Sequence, residues 1–304
     1  MLDVTLLGTA GTMPLKSRRL SSAYFRLNGK GLLIDCGEGT QVSLRECGYT
    51  FKPCGIICFT HFHADHISGL PGFLLSMGNE GRCDPLTIIG PRGVEEVVNS
   101  LRIIAPELPF EINFVPLSES VEYINIDGYK ITAFRVKHNI TCYGYRLDIE
   151  RPGKFNAQKA KDNNVPLAVW SKLQKQETAE LDGVLYTRSM VLDEQRKGIA
   201  VTYCTDTRPC TNLTQQATYS DLFICEGMYA EDDKLEKAKT AMHMTFREAC
   251  EIADYAYAEK LWLTHFSPSL SNPEEYEEFA KELFPNAHIG FDGMTETIKF
   301  EDQL

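Results

Sequence analysis

The stretch Thr60–Gly69, which reads THFHADHISG, constrains the fold of this chain more than any other segment. It holds three of the seven histidines and an aspartate, and it follows the apolar run GIICFTH (55–61), which predicts a buried strand. His61 and His63 lie two residues apart, so in an extended chain both side chains leave the same face and can reach one cation. Asp65 and His66 follow where the chain can turn and serve a second cation. The fold must therefore bring further ligands to the end of this strand.

Short apolar runs that end at turn residues alternate with helical patterns in both halves of the chain. The predicted strands are VTLLG, SAYFRL, KGLLIDCG, GIICFTH, PLTIIGP, YKITAFRVKH, GIAVTYCTD, DLFICEG and KLWLTH, and the predicted helices are GVEEVVNSLRII, TFREACEIADYAYA and NPEEYEEFAKEL. Thr245 and Glu248 form a capping box at the start of the second of these helices. This alternation predicts an α/β fold in which two sheets are sandwiched between helices.

Three predicted strands end on residue types that bind metals, namely His138, Asp206 and His265. Functional groups of α/β folds gather in loops at strand ends, and imidazole with carboxylate suits zinc or a similar divalent ion. Asp206 can bridge two ions. The predicted ligand sets are His61, His63, His138 and Asp206 for one ion, and Asp65, His66, Asp206 and His265 for the other.

Single histidines have a second interpretation, because a lone histidine is more often structural than a metal ligand. This interpretation applies to His138 and His265 when each is considered alone. The cluster at 61–66, however, makes histidines at the ends of strands better candidates for metal ligands. His288, near the C-terminus, is predicted to be structural or on the surface.

Composition limits the class of protein and its partners. The net charge of −11 and a pI of about 5.2 oppose nonspecific binding to nucleic acid or to membranes. The ten cysteines form no CxxC pair, the N-terminus lacks a signal-peptide pattern, and no apolar run approaches a membrane span. We therefore expect a cytoplasmic protein with reduced thiols that is not attached to a membrane.

Residues 150–198 differ from the rest because strand patterns thin out and polar residues dominate. The simplest interpretation is an arm inserted into a single domain that spans 1–304. Within 151–175 there are six basic residues against one acid, Asp162; the basic ones are Arg151, Lys154, Lys159, Lys161, Lys172 and Lys175. A second basic cluster is Lys16, Arg18 and Arg19. A solvated loop and a surface turn are the alternatives for these two segments.

The motifs together resemble the metallo-β-lactamase superfamily and, more narrowly, the ribonuclease Z family of endonucleases that mature transfer RNA 3′ ends. The resemblance covers nearly the whole chain. It rests on LLGTAGTMP with PLKSRR, LIDCGEGTQ, THFHADHISGLPG, IIGPRG, VKH, YGYRL, RPGKF, CTDTRPC, and MHMTF followed by LTHFSP. The HxHxDH motif is specific for the superfamily, whereas PLKSRR, RPGKF and the order of the blocks carry the narrower resemblance.

This resemblance implies an αββα sandwich with an inserted flexible arm and two divalent ions, most readily zinc with manganese as the alternative. It implies precursor transfer RNA as the substrate, gripped by the arm, and a homodimer in which one subunit's arm serves the other's site. It places the loop of Lys16, Arg18 and Arg19 at the acceptor end. It also implies that His243 lies near the leaving oxygen with Glu226 behind it; a loop carboxylate and a helix-start residue are the alternative for this pair.

The predicted site suggests a mechanism for phosphodiester cleavage. Divalent ions acidify a water, Asp65 orients it and takes its proton, and the water attacks phosphorus in line. His243, oriented by Glu226, protonates the departing oxygen. The expected products are a 3′-hydroxyl on the transfer RNA and a 5′-phosphate on the trailer.

Three departures from the family pattern are visible. VPLAVWSKL (165–173) replaces the usual glycine-proline segment of the arm, Arg19 replaces an asparagine, and Thr205 replaces a glycine. None is a predicted ligand. The first can change the shape of the arm and so bears on recognition of transfer RNA.

Two other functions remain open from the sequence. The chain could be another dinuclear hydrolase of this fold that acts on small phosphodiesters or other esters, or a metal-binding or RNA-binding protein without catalysis. Deletion of 151–190 separates the first from an RNA endonuclease, because it should abolish RNA cleavage and spare a small diester. Metal-dependent turnover excludes the second.

Overall fold

The computed structural model describes residues 1–301, and the secondary structure alternates along this part of the chain. The strands are β1 (Leu2–Gly8), β2 (Ser22–Leu27), β3 (Lys30–Ile34), β4 (Cys54–Cys58), β5 (Leu86–Pro91), β6 (Ile112–Leu117), β7 (Val121–Ile126), β8 (Tyr129–Arg135), β9 (Tyr143–Arg151), β10 (Thr178–Leu181), β11 (Val184–Thr187), β12 (Arg196–Cys204), β13 (Leu222–Glu226), β14 (Leu261–Thr264), β15 (Ala287–Ile289) and β16 (Thr295–Ile298). The α-helices are α1 (Thr40–Glu46), α2 (Ala64–Ile67), α3 (Leu70–Asn79), α4 (Val94–Leu101), α5 (Ala157–Asp162), α6 (Leu167–Leu173), α7 (Thr211–Ala217), α8 (Leu235–Ala241), α9 (Phe246–Tyr255) and α10 (Glu277–Leu283).

The strands form two seven-stranded sheets and one hairpin. The order in the first sheet is β16-β1-β2-β3-β4-β5-β6, and in the second it is β15-β14-β13-β12-β9-β8-β7. Strands β3 to β6 run parallel, as do β12 to β15. Parallel strands bring their carboxyl ends to one edge of a sheet, which is where α/β proteins place their chemistry.

Helices cover the outer face of each sheet. Leu44, Phe73 and Val98, from α1, α3 and α4, pack with residues of the first sheet, and helices α7, α9 and α10 pack on the second. Side chains on the opposite faces, such as Phe25 and Trp262, are also buried. The Tyr145 hydroxyl, from β9, donates to the carbonyl of Phe59 after β4 at 2.6 Å, which joins the two sheets. The result is a helix–sheet–sheet–helix arrangement, as predicted.

The structure confirms most of the predicted elements and adds others. The predicted helix at 245–258 is α9, and the capping box of Thr245 and Glu248 is present. The pattern at 272–283 begins as a 3₁₀ turn (Pro273–Tyr276) before α10. Strands β6, β7, β9, β15 and β16 and the hairpin β10–β11 were not predicted. β6 and β7 have mixed polar faces and are only partly buried, which explains their weak pattern.

The chain divides into two compact units, one comprising Met1–Asp148 with Ile199–Lys299 and the other comprising Ile149–Gly198 with Phe300 and Glu301. The second unit, called the insert below, contains α5, α6 and the antiparallel hairpin of β10 and β11. It has its own apolar cluster, made by Ala160, Val165, Val169, Leu173, Ala179, Val191 and Leu192. The unusual segment 165–173 therefore forms a helix whose apolar face packs inside the insert.

All ten cysteines are free thiols, and most of them are buried. Within residues 1–301, no helix combines the length and the hydropathy needed to cross a lipid bilayer.

Candidate metal centre

Four side chains from the ends of β4, β8 and β12 converge on one point. They are His61, His63, His138 and Asp206, whose ligand atoms all lie within 4.8 Å of one another. His61 Nε2 is 2.9 Å from His63 Nδ1. Asp206 Oδ2 is 3.7 Å from the Nε2 atoms of both His61 and His138. Three imidazoles and one carboxylate are a donor set that suits a divalent transition metal.

A second group lies on the other side of Asp206. Asp65 and His66, on the short helix α2, meet His265, which follows β14, again with all ligand atoms within 4.8 Å. Asp206 Oδ1 is 3.0 Å from His66 Nε2 and 3.1 Å from His265 Nε2. Each carboxylate oxygen of Asp206 therefore faces a different histidine pair. Asp206 therefore lies between the two groups of candidate ligands.

Unsatisfied buried atoms show that these residues fit a cation. His66 Nε2 and His265 Nε2 are buried at 3.0 and 3.1 Å from Asp206 Oδ1, yet none of these three atoms makes a well-aligned hydrogen bond. Such orphaned groups are rare in proteins, and a cation among them would satisfy all three. The backbone also approaches closely here, since a Cβ on Gly11 would lie 2.7 Å from His265 Nε2. The chemistry and placement of these residues therefore suit a divalent metal.

In three of the candidate ligand histidines, the ring nitrogen that points away from the site contacts another part of the protein. Asp35 Oδ2 lies 2.8 Å from His66 Nδ1, Ser21 Oγ lies 2.6 Å from His265 Nδ1, and the carbonyl of Met242 lies 3.2 Å from His138 Nδ1. Such contacts fix the ring orientation and aim the other nitrogen at the metal. Sequence reasoning assigned no role to Asp35 or Ser21. The one local signal for Asp35 is its position directly after the predicted buried strand in LLIDCG.

Three residues that follow strands at the site have a left-handed backbone conformation, which directs their side chains toward it. Asp35, Asp206 and His265 have φ of 60°, 48° and 57°. Aspartate and histidine adopt this region more often than most residues, but any residue other than glycine in it carries strain of about 1–3 kcal/mol. The surrounding contacts must hold His265 in this conformation, which projects its ring toward Asp206.

The protonation states suit metal binding. Burial lowers the pKa of His61 well below its usual value and also lowers that of His138, so both rings are neutral at pH 7. Burial opposes ionisation of Asp206, but His265, His66 and His61 hold its pKa well below the ordinary value. Burial also disfavours the charged form of His66, yet Asp206 and Asp35 raise its pKa well above the usual value. Metal binding should therefore release a proton from His66.

Asp65 is held as a carboxylate at the edge of the centre. The backbone amide of Thr12 donates to Asp65 Oδ2 at 2.7 Å, and His66 Nε2 lies 3.6 Å from the same oxygen. Burial raises the pKa of Asp65, but hydrogen bonding and the charge of His66 bring it below its ordinary value. This carboxylate is ionised at neutral pH and can accept a hydrogen bond from a water at the centre.

Glu226 and His243 form a buried pair beside the two groups. His243 Nδ1 lies 3.1 Å from Glu226 Oε2, and the amides of Thr207 and Met244 donate to the same carboxylate at 2.5 and 3.0 Å. His243 lies near Asp206 and His265. Burial lowers the pKa of His243, but the charge and hydrogen bond of Glu226 outweigh this effect and raise it to about 9. The imidazole is therefore protonated at neutral pH and can donate a proton.

The three basic residues at 16–19 are placed differently from one another. Lys16 is exposed. Arg19 Nη2 lies 3.1 Å from Glu46 Oε1 at the surface. Arg18 is buried, and its Nη2 donates to the carbonyl of Leu270 at 2.5 Å. Its burial does not support the expectation that the Arg18 guanidinium is presented to substrate.

The six basic residues at 151–175 also fall into two groups. Arg151 lies over the ring of Phe300 at 5.2 Å, and Lys159 Nζ donates to the carbonyl of Leu192 at 2.6 Å. These two side chains are engaged within the insert. The remaining four are exposed; they are Lys154, Lys161, Lys172 and Lys175.

Replacement of Asp35 by asparagine should weaken metal binding without disturbing the backbone. Asparagine tolerates the left-handed conformation, but it removes the negative charge behind His66. Loss of such a supporting contact reduces metal affinity by about 10- to 100-fold. Competition with a chromogenic chelator measures this change directly.

Asp127→Asn is the matched control for this experiment. Asp127 also has a left-handed φ of 54°, but its contact is a surface ion pair with Lys30. The Asp127→Asn protein should bind metal as tightly as the wild type does. Equal affinities in both variants would contradict the role assigned to Asp35.

Comparisons with known proteins show the family to which this chain belongs. A family profile described as "Beta-lactamase superfamily domain" matches residues 165–266, and one described as "Anti-Pycsar protein Apyc1" matches residues 2–152. The chain is 55% identical over 301 residues to a ribonuclease Z of Lachnoclostridium phytofermentans, covering 99% of both chains. It is 54% identical over 302 residues to a ribonuclease Z of Agathobacter rectalis, covering 99% of this chain and all of the relative.

Solved structures show the same fold at lower identity. Human tRNase Z, short form, matches with a TM-score of 0.70 at 22% identity and covers 98% of this chain and 99% of its own. The metallo-β-lactamase fold protein YhfI from Bacillus subtilis matches with a TM-score of 0.70 at 20% identity, covering 97% and 98%. The chain has the metallo-β-lactamase fold and belongs to the ribonuclease Z family.

Proposed function

We propose that this protein is a metal-dependent endoribonuclease that removes 3′ trailers from precursor transfer RNA. The observation that carries the proposal is the pairing of two metal-ligand groups across Asp206 with the hydrogen-bonded pair of His243 and Glu226 beside them. Metal groups alone suit many hydrolases of this fold. A protonated imidazole next to them adds the acid that a poor leaving group, such as a ribose oxygen, requires. The similarity to ribonuclease Z proteins over 99% of the chain supports the choice of substrate.

The proposed ligands are the residues predicted from the sequence. His61, His63, His138 and Asp206 would hold one ion, and Asp65, His66, Asp206 and His265 would hold the other. Zinc suits a site of imidazoles and carboxylates, with manganese as the alternative. Two bound divalent cations supply an acidified water at neutral pH and a countercharge for the phosphodiester.

Three side chains of this chain move or hold protons in the proposed reaction. The Asp65 carboxylate accepts a proton from the attacking water, which is aligned with the bond to be broken. The oxygen–phosphorus bond to the ribose 3′ oxygen breaks, and His243 donates a proton to that oxygen. Glu226 holds the His243 ring and keeps it protonated. The products are a transfer RNA with a 3′-hydroxyl and a trailer with a 5′-phosphate.

The test uses the purified protein, zinc or manganese, and a precursor transfer RNA with a 3′ trailer. We expect one metal-dependent cut near the end of the acceptor stem, lost in Asp65→Ala. Absence of this cut, with hydrolysis of a small diester retained, would assign the protein to the hydrolases of small phosphodiesters. Absence of any turnover would leave a binding function.

We assign binding of the RNA backbone to the four exposed lysines of the insert, which are Lys154, Lys161, Lys172 and Lys175. Replacement of all four by alanine should raise KM for precursor transfer RNA and leave kcat unchanged, because phosphate contacts position a substrate without entering the chemistry. Each phosphate contact that is lost should lower the slope of log affinity against log salt by about one. Steady-state kinetics at several salt concentrations measure both quantities.

A control with the same change of charge uses lysines outside the insert, namely Lys52, Lys130, Lys239 and Lys299, all replaced by alanine. This control should change KM and the salt slope much less. If both quadruple variants behave alike, general charge rather than the insert governs binding.

Two further expectations belong to this proposal. A homodimer in which the insert of one subunit serves the other is implied by the resemblance, and sedimentation velocity tests the assembly. A cytoplasmic location is supported by the ten free thiols, since a reducing compartment keeps cysteines unpaired.

A further inference from the structure

Arg208 is an arginine next to the candidate metal centre that takes no part in either ligand group. It lies two residues after Asp206, and its side chain is only 11% exposed. Its Nη1 donates to the backbone carbonyl of His243 at 2.5 Å and to Glu248 Oε2 at 2.9 Å. Its Nη2 binds the other oxygen of Glu248. The guanidinium therefore joins the backbone of the proposed acid to the first turn of α9.

The segment that carries His243 has no regular secondary structure and depends on such contacts. Met242 has a left-handed φ of 64°, and its carbonyl lies 3.2 Å from His138 Nδ1. The amide of Met244 donates to Glu226 at 3.0 Å, and that of Thr245 donates to Glu248 at 3.1 Å. The carbonyl of His243 itself is held by Arg208. Each peptide around the imidazole is thus tied to a different side chain.

Arg208 also belongs to the loop that places the bridging carboxylate. Its amide donates to the carbonyl of Lys137 at 2.9 Å, next to His138. Thr207, the residue before it, donates its amide to Glu226 Oε1 at 2.5 Å. The Asp206 loop is therefore tied to His243 through two side chains, Glu226 at the imidazole and Arg208 at the backbone carbonyl.

We propose that Arg208 is a positioning residue that fixes the His243 imidazole relative to Asp206, by holding the carbonyl of His243 while it is anchored on Glu248. The inference rests on the proposed function, because it assigns His243 to protonation of the leaving oxygen. Glu248 is a rigid anchor, since it also caps α9 through Thr245. The planar fork of arginine can bind both oxygens of Glu248 and the carbonyl together, whereas the single ammonium of lysine cannot.

The test compares two substrates that differ in leaving group. Precursor transfer RNA leaves a ribose oxygen, which needs a proton, whereas bis(p-nitrophenyl) phosphate leaves p-nitrophenolate, which does not. For Arg208→Met we expect kcat on RNA to fall by about 100-fold, because a misplacement of about 1 Å costs a factor of this order. Arg208→Lys should lose less. KM for RNA, bound metal and the rate on the activated diester should stay at wild-type values.

His243→Ala should show the same selectivity for the poor leaving group, and the double variant with Arg208→Met should be no worse than His243→Ala alone. Arg146→Met is the matched control, because Arg146 also binds a carboxylate, Asp148, and donates to two carbonyls, those of Gln216 and Thr218. This control should keep wild-type kcat on both substrates. Melting temperatures and the activated diester report whether Arg208→Met is folded.

Two outcomes would overturn the inference. Equal losses on both substrates would mean that Arg208 only supports the fold, and additive losses in the double variant would mean that it acts apart from His243. Failure of the wild type to cleave RNA, with the diester still hydrolysed, would instead overturn the proposed function itself. That result is seen before any variant is compared, so the two failures are distinguishable.

Discussion

Replacement of Asp206 by alanine is expected to remove bound metal from both ligand groups and to abolish activity. Asp206 is the one residue that the structure places between the two histidine pairs, with Oδ1 about 3 Å from His66 and His265 and Oδ2 facing His61 and His138. Since the residues of such a site act as a unit, the loss of rate should be at least about 10³-fold. Metal analysis after dialysis and hydrolysis of bis(p-nitrophenyl) phosphate measure the two effects.

The Asp206→Asn variant tests whether both carboxylate oxygens of Asp206 are needed to hold the two ions. Asparagine fits the left-handed backbone and keeps one carbonyl oxygen, but its amide presents donors to the other histidine pair. We expect this variant to retain about one ion for each two held by the wild type, because an amide NH₂ group is a hydrogen-bond donor and cannot ligate a cation. Asp127→Ala serves as a control at a left-handed position on the surface. Full metal content in Asp206→Ala would show that the two histidine groups bind independently of this carboxylate.

The residues around the candidate site could be predicted from the sequence because each follows a strand with a clear apolar pattern. His61, Asp206 and His265 come after β4, β12 and β14, which are buried on both faces and read as continuous apolar runs. Parallel neighbours bring such strand ends together, so residue type and position along the chain suffice. The pairing of Glu226 with His243 was predicted through the resemblance, and the structure brings the two side chains into contact.

The supporting contacts could not be predicted in this way. Ser21 reaches His265, and Arg208 reaches Glu248, across wide gaps in sequence that no local pattern encodes. The same holds for β16, which pairs with β1 from the opposite end of the chain. The insert illustrates a different limit. Its polar sequence suggested an arm with few strands and gave no prediction of helix α6, although Val165, Val169 and Leu173 lie at helical spacing and bury one face of that helix within the insert.

Replacement of Glu226 by glutamine should lower kcat on precursor transfer RNA by about 10²-fold or more, because the His243 ring loses the carboxylate that orients it and is less often protonated at neutral pH. It should also change the pH dependence. In the wild type, the Glu226 carboxylate raises the pKa of His243 to about 9, so the reactive, protonated ring persists to mildly alkaline pH. Without that charge, the alkaline limb of the kcat profile should move to lower pH, toward the ordinary histidine value of about 6.5.

The stability of the folded protein should also depend on the protonation of His243. The folded-state pKa of His243 is raised, so the pair stabilises the protein fully below about pH 6.5 and loses this contribution as pH rises through 9. Glu226→Gln should lack this dependence, and it should be less stable throughout, since the buried carboxylate also accepts from the amides of Thr207 and Met244. Glu277→Gln is a suitable control, because Glu277 pairs with His288 far along the chain from this centre. An unchanged alkaline limb in Glu226→Gln would assign protonation of the leaving oxygen to another group.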